Sequence, residues 1–132
     1  MERIPRDIFA AIAAILVEIL DIEPAEVTPE AYLIRDLAVE SIDLMELAVC
    51  LSERFRLEVD EELIFLKSLR AVIDKAHTEK EAAIDVVLEK FPFLTSHRIN
   101  EMVETLKDGP VLKVKDLVQY IQFQNNKGSL HA

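Results

Sequence analysis

The residues of this chain best suited to chemistry surround one serine. Ser41 lies where a polar loop meets the start of an apolar-striped helix, and Asp36, Glu40 and Asp43 place carboxylates on both sides of it. A serine at the start of a helix is most often an N-cap, which is the structural alternative to a chemical role. No Gly-x-Ser-x-Gly sequence surrounds Ser41, so the nucleophile elbow of a serine hydrolase is excluded.

The other reactive side chains form no cluster in the sequence. The three histidines, His77, His97 and His131, are far apart and lack metal-ligand spacing with one another or with Cys50. Cys50 lies mid-helix between apolar neighbours and is predicted to be a buried, unreactive thiol. The acidic run at 60–62 lacks the spacing and the glycine of a calcium loop. We therefore predict no metal site and no catalytic residues.

Composition limits the classes of protein that remain. The 132 residues include 25 acidic and 15 basic side chains, a net charge of −10, which excludes nucleic acid as an expected partner. The two glycines exclude a glycine-rich phosphate loop. The longest apolar run, 8–17, is half the length that a membrane-spanning helix needs and is followed by no signal-peptide cleavage site. We expect a cytoplasmic protein without a transmembrane segment.

Helical periodicity predicts the elements of the first half. Ile8, Ile12, Ile15 and Ile19 form one stripe of a first helix that ends at about residue 20. A loop then runs to about residue 40, and Thr28-Pro29 predicts a short turn within it. A second helix is predicted over 41–55, with apolar residues at core spacing.

The second half repeats the pattern in shorter units, with apolar stripes over 69–76, 84–91, 99–106 and 114–121. Thr78 and Glu81 have the spacing of a capping box, which predicts a helix break near His77 and a restart at Thr78. Thr95 or Ser96 is the predicted cap of the next helix. Residues 125–132 are predicted to be a frayed tail. Since no stretch alternates as a strand does, the fold class is all-α.

The stretch Asp36-Leu37-Ala38-Val39-Glu40-Ser41-Ile42-Asp43 resembles the phosphopantetheine attachment site of acyl carrier proteins. In that family an Asp-Leu-Gly-x-Asp-Ser-Leu-Asp sequence opens the second helix, and its serine carries the prosthetic arm. The resemblance extends to the first helix, the long loop and residues 55–60, and it resumes at 114–121, which is similar to the family's last helix. Glu40 replaces the aspartate, Ile42 the leucine, and Ala38 the glycine, a position that is predicted to need only an ordinary backbone angle.

The resemblance implies an acyl-carrier-like helical bundle as one domain, 1–132. Its core would be about 1–67 and 111–124. Residues of about 68–110 have no counterpart in the family and would form extra helices inserted before the last helix. An enlarged carrier of this kind is similar to those dedicated to unusual acyl chains, such as the very long chains of lipopolysaccharide.

The resemblance also implies a function. Ser41 would bear 4′-phosphopantetheine, attached by a phosphopantetheinyl transferase, and the arm would hold acyl groups as thioesters for fatty acid or lipid biosynthetic enzymes. The protein itself would be a monomeric carrier and no enzyme. Two alternatives stay open: a peptidyl or aminoacyl carrier of a secondary-metabolite pathway, and a helical interaction module without the arm.

Partner enzymes would recognise the second helix. Acids are concentrated in the first half, since residues 1–66 hold 16 acidic and 5 basic side chains and residues 67–132 hold 9 and 10. Such a surface complements basic docking patches on acyl-transferring and synthase enzymes. The predicted partner-binding residues are Glu40, Ile42, Asp43, Met45, Glu46, Val49 and Glu53.

Overall fold

The computed structural model describes residues 5–130, and within that range it contains helices and no β-strand. The α-helices are α1 (Arg6–Leu20), α2 (Ser41–Phe55), α3 (Glu61–Ile64), α4 (Leu69–Thr78), α5 (Ala83–Lys90), α6 (Ser96–Thr105) and α7 (Val114–Leu130), with 3₁₀ helices at Pro24–Glu26 and Leu106–Asp108. The predicted all-α fold class is therefore confirmed. None of the helices in the described range is long and apolar enough to span a membrane.

The chain divides into two compact units. The first consists of the residues up to Val59 together with those from Leu112 onward, and it contains α1, α2 and α7. The second is Asp60–Val111 and contains α3 to α6. Ser41 and the residues that surround it in sequence belong to the first unit.

In the first unit, α1 packs against both α2 and α7. Of the isoleucine stripe predicted for α1, only Ile12 is fully buried, and Leu16 is the second buried residue of that helix. Full burial of one such side chain contributes about 1.5–3 kcal/mol. The buried partners on the other two helices are Leu47, Ala48 and Leu51 of α2, and Val114, Leu117, Val118, Tyr120 and Ile121 of α7. These apolar contacts hold α2 in place.

In the second unit, α4, α5 and α6 pack in chain order. The apolar side chains that they and their connections bury are Leu69, Ile73, Ala76, Val87, Phe91, Phe93, Leu94, Ile99 and Met102. The rings of Phe91 and Phe93 meet edge to face at 6.3 Å between centroids, a favoured aromatic geometry. Arg98 is also buried, and its guanidinium donates a hydrogen bond to the carbonyl of Val111.

The predicted capping box at Thr78 is wrong. Thr78 is the last residue of α4, where its hydroxyl donates to the carbonyl of Asp74 at 3.0 Å. The chain then turns through Lys80, which has a φ of 58°, and α5 begins only at Ala83. A hydroxyl that bonds back to the preceding turn of its own helix cannot cap the next helix, so the break lies after Thr78.

Other helix ends confirm or correct the predictions. The oxygen of the Thr95 side chain accepts from the N–H of Arg98 at 3.1 Å, as an N-cap does. Thr28 begins the predicted turn, since its carbonyl accepts from the N–H of Ala31. The prediction of a frayed tail from residue 125 is wrong up to Leu130, because α7 continues to that residue. The low helix propensity of polar residues costs too little to end a helix that has already formed. Residues 131 and 132, including the predicted His131, lie outside the described residues.

Two short helices were not predicted, although each has a signal in the sequence. Glu23 and Glu26 form a reciprocal capping box around the 3₁₀ helix at Pro24–Glu26, with the N–H of Glu23 donating to the Glu26 carboxylate at 2.9 Å. Asp60 caps α3, because its carboxylate accepts from the N–H groups of Glu62 and Leu63. Glu23 and Asp60 are acidic residues one position before the start of a helix, where the helix dipole favours a negative charge.

Candidate functional site

Ser41 is the first residue of α2, and the residue before it caps the helix. The Glu40 carboxylate accepts from the backbone N–H of Asp43, while the Asp43 carboxylate accepts from the N–H of Glu40 at 2.9 Å. Ser41 is exposed, and within residues 5–130 no hydrogen bond to its hydroxyl is found. The alternative in which Ser41 is itself the cap is therefore wrong, and its hydroxyl is accessible for reaction.

The start of α2 is electrostatically suited to an anionic group on Ser41. The N–H of Asp43 is used by the capping box and the N–H of Leu44 donates to the carbonyl of Glu40, which leaves those of Ser41 and Ile42 at the helix end. Such N–H groups and the helix dipole favour a negatively charged phosphate diester. The residues present therefore fit a phosphate-linked group at this hydroxyl.

The loop before Ser41 ends in a turn that contains a left-handed residue, Ala38. The N–H of Ala38 donates to the carbonyl of Ile34 at 3.2 Å, and the N–H of Val39 donates to the carbonyl of Leu33 at 3.0 Å. Leu33 and Val39, which the second of these bonds joins, are both buried. Ala38 has a φ of 55°, in the left-handed region. The prediction that this position needs only an ordinary backbone angle is wrong, because the turn places left-handed backbone here.

Replacing Ala38 by glycine should stabilise the protein. A residue with a side chain costs about 1–2 kcal/mol in the left-handed region, and glycine removes this cost. Glycine also makes the unfolded chain more flexible, which offsets part of the gain, so we expect Ala38→Gly to raise the free energy of unfolding by about 1 kcal/mol. Urea denaturation measures this. Ala71→Gly, at an exposed position of α4, is the matched control and should lower the same quantity by about 1 kcal/mol. Equal losses in both variants would contradict the assignment.

The same loop is paired with the segment that leads into α7. The N–H of Leu33 donates to the carbonyl of Leu112, and the N–H of Val114 donates to the carbonyl of Ala31, both at 3.0 Å. Tyr32 and Lys113 form an isolated antiparallel bridge between these bonds. The loop that precedes Ser41 is thus anchored to the start of α7.

An ion-paired cluster reinforces this pairing, and we name it the Glu30 clamp (Glu30, Lys113 and Lys115). One carboxylate oxygen of Glu30 lies 2.8 Å from Nζ of Lys113, and the other lies 3.0 Å from Nζ of Lys115. The lysine side chains are 10% and 7% exposed, whereas that of Glu30 is 64% exposed. The hydrogen bond from Lys113, together with that from Lys115, lowers the pKa of the Glu30 carboxyl, although partial burial opposes this shift.

The lowered pKa predicts acid-dependent stability. A carboxyl whose pKa is lower in the folded state contributes stability above the ordinary glutamate pKa of about 4.3, and the contribution is lost as pH falls through the folded value. We expect Glu30→Gln to be less stable than the wild type at neutral pH, with the difference vanishing in acid. Urea denaturation of both proteins over a descending pH series checks this. A difference that is the same at every pH would contradict it.

The outer face of α2 carries exposed apolar and acidic side chains. Ile42, Met45 and Val49 are 70%, 64% and 58% exposed, and Glu46 and Glu53 are exposed beside them. Since each helical residue turns by about 100°, these five predicted residues share one face. Glu40 and Asp43, the other two predicted residues, differ from these five because their carboxylates accept hydrogen bonds in the capping box.

One exposed apolar residue near this region was not predicted. Ile34 lies in the loop before Ser41 and is 39% exposed. In the sequence Ile34 is simply one of two adjacent apolar residues, Leu33 and Ile34, in a polar loop. That pattern does not indicate which of the two is buried. The structure buries Leu33 instead.

Within residues 5–130 the remaining reactive side chains do not form a second reactive site. Cys50 is half-buried, and burial, followed by the carboxylates of Glu46, Glu53 and Glu18, raises the pKa of its thiol. A raised thiol pKa reduces the thiolate, which is the nucleophilic form. His77 and His97 are exposed, and within residues 5–130 no group of three or more potential metal ligands occurs.

Comparison with known proteins decides the family. Residues 10–75, half of the chain, match the family described as the phosphopantetheine attachment site. The chain belongs to this family. The match includes α2 with Ser41 and extends to Lys75 in α4.

Relatives of this carrier include acyl carrier proteins of bacteria. It is 34% identical over 90 residues to the meromycolate extension acyl carrier protein of Mycolicibacterium aurum, covering 65% of this chain and 93% of that one. It is 38% identical over 68 residues to the acyl carrier protein of Helicobacter hepaticus, covering 51% and 90%. The acyl carrier protein of Helicobacter pylori strain J99 is 40% identical over 55 residues, covering 42% and 70%. No solved structure matches the chain.

Membership in this family establishes the prosthetic group. The carrier is a 4′-phosphopantetheine protein, and a phosphopantetheinyl transferase and synthases are the general partners of the family. When bound, the arm supplies a thiol that forms thioesters. The exposed hydroxyl at the start of α2 fits the attachment of such an arm, since it is accessible and lies where a phosphate diester is favoured.

Proposed function

We propose that the protein carries acyl groups as thioesters on a 4′-phosphopantetheine arm attached to Ser41. The observation that best supports this is the division of roles at the start of α2. Glu40 caps the helix, and the adjacent serine hydroxyl is exposed without a hydrogen-bond partner in the described range. A hydroxyl that served only to stabilise the helix would be used in the cap.

The attachment reaction asks little of the carrier. The Ser41 oxygen forms the new bond to the phosphorus of coenzyme A, the adenosine bisphosphate part of coenzyme A departs, and the hydroxyl proton passes to a base of the transferase. No residue of this chain needs to act as acid, base or metal ligand. The proposed role is therefore that of a carrier, with catalysis supplied by its partners.

We propose that partners dock on the outer face of α2. Ile42, Met45 and Val49 supply apolar contact area, and large exposed apolar side chains in one patch are typical of interaction sites. Glu46 and Glu53 form no ion pair with any residue between 5 and 130, so their charges are available to basic patches on the transferase and on synthases.

The cargo proposed is an acyl chain of fatty acid or lipid synthesis. The names of the relatives support this class, because all of those compared are acyl carrier proteins. Residues 76–111 of the second unit lie beyond the matched range, and we propose by analogy that this enlargement serves an unusual acyl chain, such as that of lipopolysaccharide.

Mass spectrometry of the intact protein tests the proposal. The purified protein is incubated with coenzyme A and a broad-specificity phosphopantetheinyl transferase, and the expected result is a mass gain of one phosphopantetheinyl group. Trypsin releases residues 36–54 as one peptide, which contains both Ser41 and Ser52, and fragmentation of this peptide locates the group. An unmodified protein would favour the interaction module without an arm.

A further inference from the structure

We infer that the three residues of the Glu30 clamp are positioning residues for the transfer reaction at Ser41. The inference rests on the proposed function and adds residues that contribute neither the reacting hydroxyl nor the α2 docking face. Glu30 is eleven positions before Ser41, and Lys113 and Lys115 lie at the start of the last helix. The clamp would act through the loop that leads to the serine.

The clamp is more than a chance surface ion pair. Each oxygen of the Glu30 carboxylate is bonded to a different ammonium group, and both lysine side chains are at least nine-tenths buried. Nζ of Lys113 also lies 4.9 Å from the centre of the Tyr32 ring. Burying a charged side chain is unfavourable unless it is paired, so the loop must hold Glu30 in place for the lysines to stay where they are.

Three hydrogen-bonded turns lie in the segment between the clamp and the serine. The N–H of Tyr32 donates to the carboxylate of Asp36 at 2.8 Å, and the N–H of Asp36 donates to the carbonyl of Tyr32 at 3.0 Å. The left-handed turn at Ala38 follows, and then the capping box of Glu40. These bonded turns follow one another along the chain between Glu30 and Ser41, so release of Glu30 should loosen the segment before the serine.

Such movement should affect the chemical step rather than docking. A hydroxyl that samples many orientations is aligned with the phosphorus for less of the time, and this lowers kcat. The docking face proposed above lies on α2 and does not include the clamp, so binding of the transferase should be preserved. An interaction that matters only when the reacting groups are aligned changes kcat with KM unchanged.

Steady-state kinetics of the transferase with coenzyme A and carrier variants tests the inference. We expect Glu30→Gln to lower kcat by about fivefold with KM for the carrier unchanged, and Glu30→Asp to restore part of the loss. Lys113→Met is the second variant, because it keeps an apolar stem of similar length and leaves Glu30 solvated. Glu58→Gln, at another exposed glutamate of the first unit, is the matched control and should match the wild type.

All reactions are run well below the melting temperature of each variant, so that folded protein is compared with folded protein. An unchanged kcat in both Glu30→Gln and Lys113→Met would overturn the inference, and so would a rise in KM with kcat unchanged. Failure of the proposed function looks different. In that case the wild type gains no mass, or the group is found on a residue other than Ser41, and the clamp has no reaction to position.

Discussion

Ser41→Ala is expected to abolish the mass gain that coenzyme A and a phosphopantetheinyl transferase produce. The effect should be complete, because the substitution removes the only oxygen proposed to bond to phosphorus, and an alanine methyl group cannot replace it. The fold should survive, since the Ser41 hydroxyl takes no part in the capping box that begins α2. Mass spectrometry of the intact protein and the circular dichroism spectrum measure the two quantities.

The control for this substitution is Ser52→Ala in the same helix. Ser52 is half-buried, and its hydroxyl oxygen accepts from the N–H of Val59 at 3.3 Å, so it is engaged in the structure. This variant should be modified as fully as the wild type. Modification of Ser41→Ala, or loss of modification in Ser52→Ala with the fold retained, would contradict the assignment of the arm to Ser41.

Glu46→Lys is expected to lower kcat/KM for the transferase by about tenfold at low ionic strength, mainly through KM. The substitution replaces an exposed acid at the centre of the α2 docking face by a base, so a basic patch on the partner is repelled instead of attracted. The difference from the wild type should shrink at high salt, because the Debye length falls to about 3 Å at 1 M. Initial rates over a salt series measure both effects.

Glu104→Lys is the control for the charge itself. It makes the same change of net charge at an exposed position of α6, in the second unit, which contains none of the residues proposed to dock. Its rates should follow those of the wild type at every salt concentration. Equal effects of the two substitutions would show that net charge, rather than the face of α2, governs recognition.

Together the kinetic variants separate two contributions to the same reaction. Glu46 belongs to a surface that should set how the transferase binds, whereas Glu30 belongs to a clamp that should set how the bound hydroxyl is aligned. KM therefore reports on the first and kcat on the second. Because no lysine of the clamp lies on α2, neither substitution directly alters the residues of the other.

The sequence by itself predicted the candidate site at Ser41, because the features that predict it are local. The start of α2 follows from a polar loop followed by apolar residues at helical spacing, and the cap at Thr95 follows from one side chain and a backbone N–H three residues on. Interactions of this kind span one turn of helix, so they can be read along the chain. The family resemblance began from the same short stretch around Ser41 and extended to other segments that can also be read along the chain.

Only the tertiary structure decided how the site is held. The bonds of Glu30 to Lys113 and Lys115 join residues 83 and 85 positions apart, and no local pattern pairs them. Ala38 has left-handed backbone in a turn whose residues Leu33 and Val39 are both buried. How the first unit packs around these two residues determines their burial. Helical periodicity shows that a side chain lies on an apolar stripe. Whether that side chain is buried depends on which elements cover the stripe, and those elements come from distant parts of the chain that meet only when it folds.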